Sequence, residues 1–151
     1  MVVSFAGQTT GPGVWEAEDL FRQTGEVVDD PLASGGQAVG VTAGFHPHIY
    51  LQHGPYQTME PGSYIARFFL RSPGGGRGAP GRALLEVATD MGRRVLGKRE
   101  VALDKLSGRE YVPVEVAFTV PFRCELDLRV RYLGGRDLLA DRVEVQAAPR
   151  P

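Results

Sequence analysis

At 151 residues the chain is long enough to bury a core as one domain without disulfides or a metal to hold it. Charged residues make up 23%, and 17 Lys plus Arg stand against 18 Asp plus Glu, so a net charge of -1 gives no basis for a nucleic-acid or anionic-membrane partner. Gly 20 and Pro 11, scattered among apolar runs, suit an all-β chain with many turns rather than disorder, and one cysteine excludes an internal disulfide.

Residues 1–13 open on a short apolar run, Met1 to Ala6, without a basic segment before it. That is neither a signal peptide nor a membrane span, and with the Gly, Thr and Pro that follow it reads as a linker or tail. Residues 147–151 read the same way, which leaves residues 14–146 as a β-sandwich module. Val14 to Leu20 is too short for its period to separate helix from strand. As a strand it would turn Trp15 and Ala17 one way, and Glu16 and Glu18 the other.

Ala33-Ser34-Gly35-Gly36 is a turn cluster ahead of a strand from Gln37 to Thr42. His46 to His53 resembles a strand with Pro47 near its start, ended by Gly54-Pro55-Tyr56. Tyr64 to Arg71 carries an aromatic on both faces and reads as a central, well-covered strand. Pro73 to Gly81 lacks core-forming side chains and reads as a mobile surface loop. Strands follow at Ala83 to Thr89, Val95 to Leu103 and Tyr111 to Val120, the last with Val112, Val114, Val116, Phe118 and Val120 on its dry face.

The clearest strand comes next. Arg123, Glu125, Asp127, Arg129 and Arg131 alternate with Cys124, Leu126, Leu128, Val130 and Tyr132 over ten residues. Cys124 on the dry row is most simply a small buried hydrophobe. After the Gly134-Gly135 turn, a last strand puts Leu139, Asp141, Val143 and Val145 on one row. Eight to ten short strands and no long amphipathic helix predict an all-β sandwich or barrel.

Asp141 is the misfit in its row. An isolated buried carboxylate costs several kcal/mol, so it must be protonated, paired or bound to a cation. If the first strand lies beside the last, Glu16 and Glu18 converge on Asp141, and three carboxylates with backbone carbonyls suit Ca²⁺. The plainer alternative is that Asp141 pairs locally or accepts backbone donors.

Here the chain resembles the carbohydrate-binding modules of the galactose-binding-domain-like β-jelly-roll type, the group that includes families 6 and 35. The resemblance rests on Trp15-Glu16-Ala17-Glu18, Ala33-Ser34-Gly35-Gly36, Gly54-Pro55-Tyr56, Pro61-Gly62-Ser63-Tyr64 and the closing Leu138 to Val145. It implies a two-sheet antiparallel jelly roll whose first and last strands pair, with Glu16, Glu18 and Asp141 as side-chain ligands of a structural calcium. It also implies a noncatalytic module with a glycan partner, covalently linked to a bacterial glycosyltransferase or polysaccharide enzyme. Sugar sites in the family lie in loops at one end of the sandwich or on its concave face.

A sugar site needs apolar flat faces beside planar hydrogen-bonding groups, which makes His46, His48, Tyr50 and Tyr111 the candidates. Nothing supports catalysis: no Gly-x-Ser-x-Gly, no P-loop and no complete zinc ligand set stands in the chain. The expected function is therefore tethering an enzyme on a glycan. The competing expectation is a structural or protein-interaction sandwich without a sugar site.

Overall fold

The computed structural model describes residues 10–74 and 80–149. Residues 75–79 of the expected Pro73 to Gly81 loop, and the outermost parts of both expected tails, lie outside them. Among the described residues, eleven strands form two antiparallel sheets: β1 Gly13–Glu16, β2 Glu26–Asp29, β3 Gln37–Val41, β4 Tyr50–Gln52, β5 Pro55–Met59, β6 Gly62–Arg71, β7 Arg82–Thr89, β8 Arg94–Ala102, β9 Val112–Val120, β10 Cys124–Tyr132 and β11 Leu138–Ala147. One sheet runs β2-β3-β11-β6-β9 with β1 also on β11; the other runs β4-β10-β7-β8 with β5 also on β10. The expected β-sandwich is what the chain forms.

The core lies between the sheets, where the alternating rows meet. Leu126, Leu128, Val130 and Tyr132 of β10 are buried, as are Tyr64, Ala66, Phe68 and Leu70 of β6 and Val114, Val116, Phe118 and Val120 of β9. Each large apolar side chain removed from water there contributes about 1.5–3 kcal/mol. Cys124 is only half-buried, at the margin of this row.

Both central strands have a divided neighbour. β11 meets β3 through Leu138 to Ala140 and β1 through Arg142 to Val145. β10 likewise meets β5 through Cys124 to Asp127 and β4 at Val130 and Arg131. A buried aspartate stands at each break: Asp141 in β11 and Asp127 in β10.

The break in β11 corrects its expected phase. The register against β6 shifts between Ala140 and Arg142, and a residue inserted into one strand reverses the inward parity beyond it. Leu138 and Ala140 therefore face inward before the shift, Val143 and Val145 after it, and Leu139 does not share the core row. The expected strand from His46 to His53 also shortens to β4. His46 and His48 sit in the β3–β4 loop, where the backbone turns and Phe45 and His46 donate N–H bonds back to the Thr42 carbonyl.

Candidate functional site

Two places on the molecule gather the residues singled out by the sequence. The first is the corner where β1, the β2–β3 loop and β11 meet. β1 stops at Glu16, and Ala17–Asp19 forms a 3₁₀ turn, so Glu16 and Glu18 are not neighbours on one strand face. The turn still aims both at Gly35: a Cβ placed there would lie 2.7 Å from Glu16 Oε1 and 3.2 Å from Glu18 Oε2.

Asp141, 1% exposed, faces the same loop. The Ser34 N–H donates to both its oxygens at 3.1 Å, and the Ser34 hydroxyl lies 3.0 Å from Asp141 Oδ1 and 2.7 Å from Glu16 Oε1. Arg142 Nη1 donates to Asp141 Oδ2 at 2.8 Å while its guanidinium lies 3.7 Å over the Phe69 ring. Asp141 thus accepts a backbone donor and pairs locally. Glu18 is different, because its Oε1 is buried without a partner. Burial, then the carboxylates of Glu16, Asp19 and Asp141, push its carboxyl above the usual range, against a bond from its own backbone N–H.

The donors of this corner are of the kind Ca²⁺ takes. The donors are hard carboxylate oxygens, the orphaned Glu18 Oε1 has an unmet electrostatic demand, and Gly35 keeps side-chain bulk out of the space between Glu16 and Glu18. Against that, no group of three or more His, Cys, Asp or Glu side chains among the described residues is placed to hold a metal ion, and Ser34 bridges Glu16 and Asp141 while Arg142 holds the other Asp141 oxygen. The donor chemistry fits, with the Ser34 hydroxyl as the group that would yield.

The second place is the loop end of the sandwich. Here a cavity of about 120 Å³ is lined by Glu26, Thr42, His46 and Asp137, with Gly40 and Leu139 beneath. Its polar groups are held in place. His46 Nδ1 accepts the Thr42 N–H at 2.8 Å and its Nε2 lies 3.3 Å from Glu26 Oε2, while Asp137 Oδ1 accepts the Ala43 N–H at 2.8 Å. The Phe45 ring, 75% exposed, stands edge-on to His46 at 4.8 Å. A side chain on Gly40 would meet Leu139 at 2.9 Å and crowd that floor.

The four expected sugar residues do not come together. His46 lines this cavity. His48 packs edge-on against Tyr132 at 5.4 Å, and a side chain on Gly134 would strike it. Tyr50 lies under the Arg129 guanidinium at 5.1 Å on the outside of the β10 sheet. Tyr111 donates to Asp30 Oδ2 at 2.6 Å, and burial, with that bond, raises its hydroxyl above the ordinary tyrosine range. Sequence reasoning passed over Phe45, Glu26 and Asp137. Phe45 carried the one usable signal, a large aromatic in a loop with nothing apolar beside it to pack on.

No protein-family model matches the chain, and no curated protein matches it. Solved structures do. A carbohydrate-binding module from Cellvibrio mixtus lichenase 5A, in complex with cellotriose, superposes with a TM-score of 0.63 at 14% identity over 91% of this chain and 98% of its own. A family 6 module from Clostridium cellulolyticum, in complex with xylose, gives 0.58 at 17% identity over 89% and 96%. The C-terminal family 6 module of a marine laminarinase from Zobellia galactanivorans gives 0.56 at 19% identity over 90% and 99%. The chain therefore has the two-sheet β-jelly-roll fold of the carbohydrate-binding modules.

Proposed function

We propose that this chain is a noncatalytic carbohydrate-binding module that takes its sugar at the loop end and is braced by a structural Ca²⁺ at the acidic corner. The observation that carries the sugar site is the exposed Phe45 ring standing edge-on to His46, which lines a cavity whose polar groups are already fixed. About 120 Å³ is the space of roughly four waters, enough for the hydroxyl-bearing edge of a sugar ring but not for the whole ring. The apolar face of the ring is then left to rest on Phe45, while His46, Glu26 and Asp137 receive its hydroxyls. Preorganised groups bind without the cost of ordering them.

Solved modules of the same fold hold cellotriose and xylose, and several belong to glycan-degrading enzymes, which supports the reading that this chain tethers a linked enzyme to a polysaccharide. A weak site suffices for that role, because linkage raises the local concentration of substrate. Glu16, Glu18 and Asp141 would hold the calcium, whose charge would meet the demand left by the unpartnered Glu18 oxygen.

The test is binding to a panel of neutral and acidic polysaccharides, in millimolar calcium and again with chelator. Phe45→Ala should weaken binding about tenfold, the worth of one stacked aromatic, without changing the melting temperature of so exposed a position. Asp137→Asn keeps the acceptor for Ala43 and alters only the free oxygen. Unchanged affinity in Phe45→Ala would overturn the loop-end site, and a blank panel from folded protein would leave the structural or protein-interaction reading.

A further inference from the structure

The end of the sandwich opposite the β3–β4 loop carries a larger depression, about 570 Å³, that the reading above does not use. It opens between β5, the β7–β8 hairpin and the β9–β10 turn. Its apolar surfaces are Met91, 75% exposed, and Phe122, 50% exposed, the latter steadied by the Arg94 guanidinium 5.2 Å over its ring. Tyr56 forms one wall, its hydroxyl 3.0 Å from His53 Nδ1 and its ring beside Phe21.

The backbone around this depression is unusual. Among the described residues, the non-glycine positions with left-handed backbone are Tyr56 at φ 69°, Asp90 at φ 54° and Met91 at φ 55°, and all three line it. Such conformations cost energy and persist where surrounding structure imposes them, which is most common at sites of function. A two-residue turn with both central residues left-handed favours Asn, Asp or Gly. Asp90 obeys that preference and Met91 does not, and Gly92 continues the left-handed run at φ 85° in the connection that closes Thr89 against Arg94.

The charges are equally lopsided. Asp127, 5% exposed, lies in the floor with Oδ1 accepting the Gly54 N–H at 2.7 Å and Oδ2 4.0 Å from Arg129. Asp90 and Glu125 are exposed at the rim. Of the two guanidiniums on the lining, Arg123 is already paired with Glu60 at 3.0 Å, and Arg94 is stacked on Phe122. Two exposed carboxylates, Asp90 and Glu125, therefore face one cation, Arg94, that no carboxylate pairs.

Apolar plates flanked by planar polar groups suit a sugar, and an excess of carboxylate selects its charge. We infer that this depression is a second saccharide site, separate from the loop end, and that it prefers sugars bearing protonated amines over neutral ones and rejects uronates. Interactions of partly exposed charges set the expected preference at roughly threefold to fivefold.

The chain itself provides a local reporter, since Cys124, its sole cysteine, lines the depression. Calorimetric titrations at low salt would compare fully deacetylated chitosan tetramer, cellotetraose and tetragalacturonate, each alongside the rate of iodoacetamide alkylation of Cys124. Arg123→Cys gives an exposed thiol on the same lining should Cys124 react too slowly. The expected order of affinity is chitosan tetramer, then cellotetraose, then tetragalacturonate, with alkylation slowed in the same order. Asp90→Asn with Glu125→Gln should erase the preference for the amine, Phe122→Ala should abolish protection by both sugars, and Phe45→Ala should leave the protection of Cys124 unchanged. Alkylation of neither thiol being slowed at saturating sugar, protection lost in Phe45→Ala, or tetragalacturonate slowing alkylation as well as chitosan tetramer would each overturn the second site. Because Phe45→Ala and Phe122→Ala report on opposite ends, failure at one end is distinguishable from failure at the other.

Discussion

Met91 holds a backbone conformation that costs an ordinary L-residue about 1–2 kcal/mol, partly offset by the extra entropy a glycine would lose. Met91→Gly should therefore stabilise the fold by about 0.5–1 kcal/mol, measured by urea unfolding, while weakening sugar binding at the hairpin end. Tyr111 and Asp30 form the second informative residue pair. Burial alone would raise the Asp30 carboxyl, but the Tyr111 hydroxyl, the Leu32 N–H and then Arg71 outweigh it and hold the group below its ordinary value. A carboxyl depressed in the folded state adds stability that is full above its unfolded value, near 3.8, and is lost as pH falls through the folded one. Tyr111→Phe should cost about 1.5–3 kcal/mol at neutral pH, as loss of a hydrogen bond to a charged group. Its urea midpoint should also fall less steeply than that of the native chain between pH 4 and pH 2. An equal acid slope in both proteins would show that this bond does not set the Asp30 titration.

At the scale of elements, the divided neighbours of β10 and β11 explain why aspartates are buried inside strands. Where β3 ends and β1 begins, the ladder on that side of β11 is interrupted, and Asp141 accepts the Ser34 N–H from the intervening loop. Asp127 does the same for Gly54 between β4 and β5. Each carboxylate stands in for a missing ladder partner. Removing Asp141 would leave the Ser34 N–H unsatisfied and deprive Arg142 of its 2.8 Å partner. Asp141→Ala should therefore destabilise the domain by about 3–5 kcal/mol whether or not a cation is present. Thermal unfolding in chelator reads this structural part alone.

For the whole molecule, the calcium proposal predicts linkage between ion binding and unfolding. At one hundred times its dissociation constant, a bound ion adds about 2.7 kcal/mol, which for a domain of this size is about 5–10 °C in melting temperature. Glu18→Gln should reduce that response while leaving the melting temperature in chelator close to native. A melting temperature indifferent to calcium in the native chain would remove the metal from the account and leave Ser34 and Arg142 as the partners of Asp141.

The alternation along β9 and β10 could be read from the sequence because it is local: each residue's face follows from its neighbour's, and the structure buries the expected rows almost without exception. The all-β class followed in the same way from turn residues and strand length. What lay beyond the sequence was anything set by a partner distant in the chain. The register shift at Asp141 moved Leu139 out of the core row because β1 and β3 both need β11, and no local period records that competition. His46 to His53 alternated well enough to pass for a strand, yet its first half is loop and only Tyr50 to Gln52 pairs with β10. The loop-end cavity joins Glu26 of β2 to His46 and Asp137 of two separate loops, and the hairpin-end depression joins Tyr56 of β5 to Asp90 and Phe122 of two separate turns. Sequence periodicity determined which residues face the core; only the tertiary structure decided which outward-facing residues meet, because that depends on how two sheets stack and where their loops return.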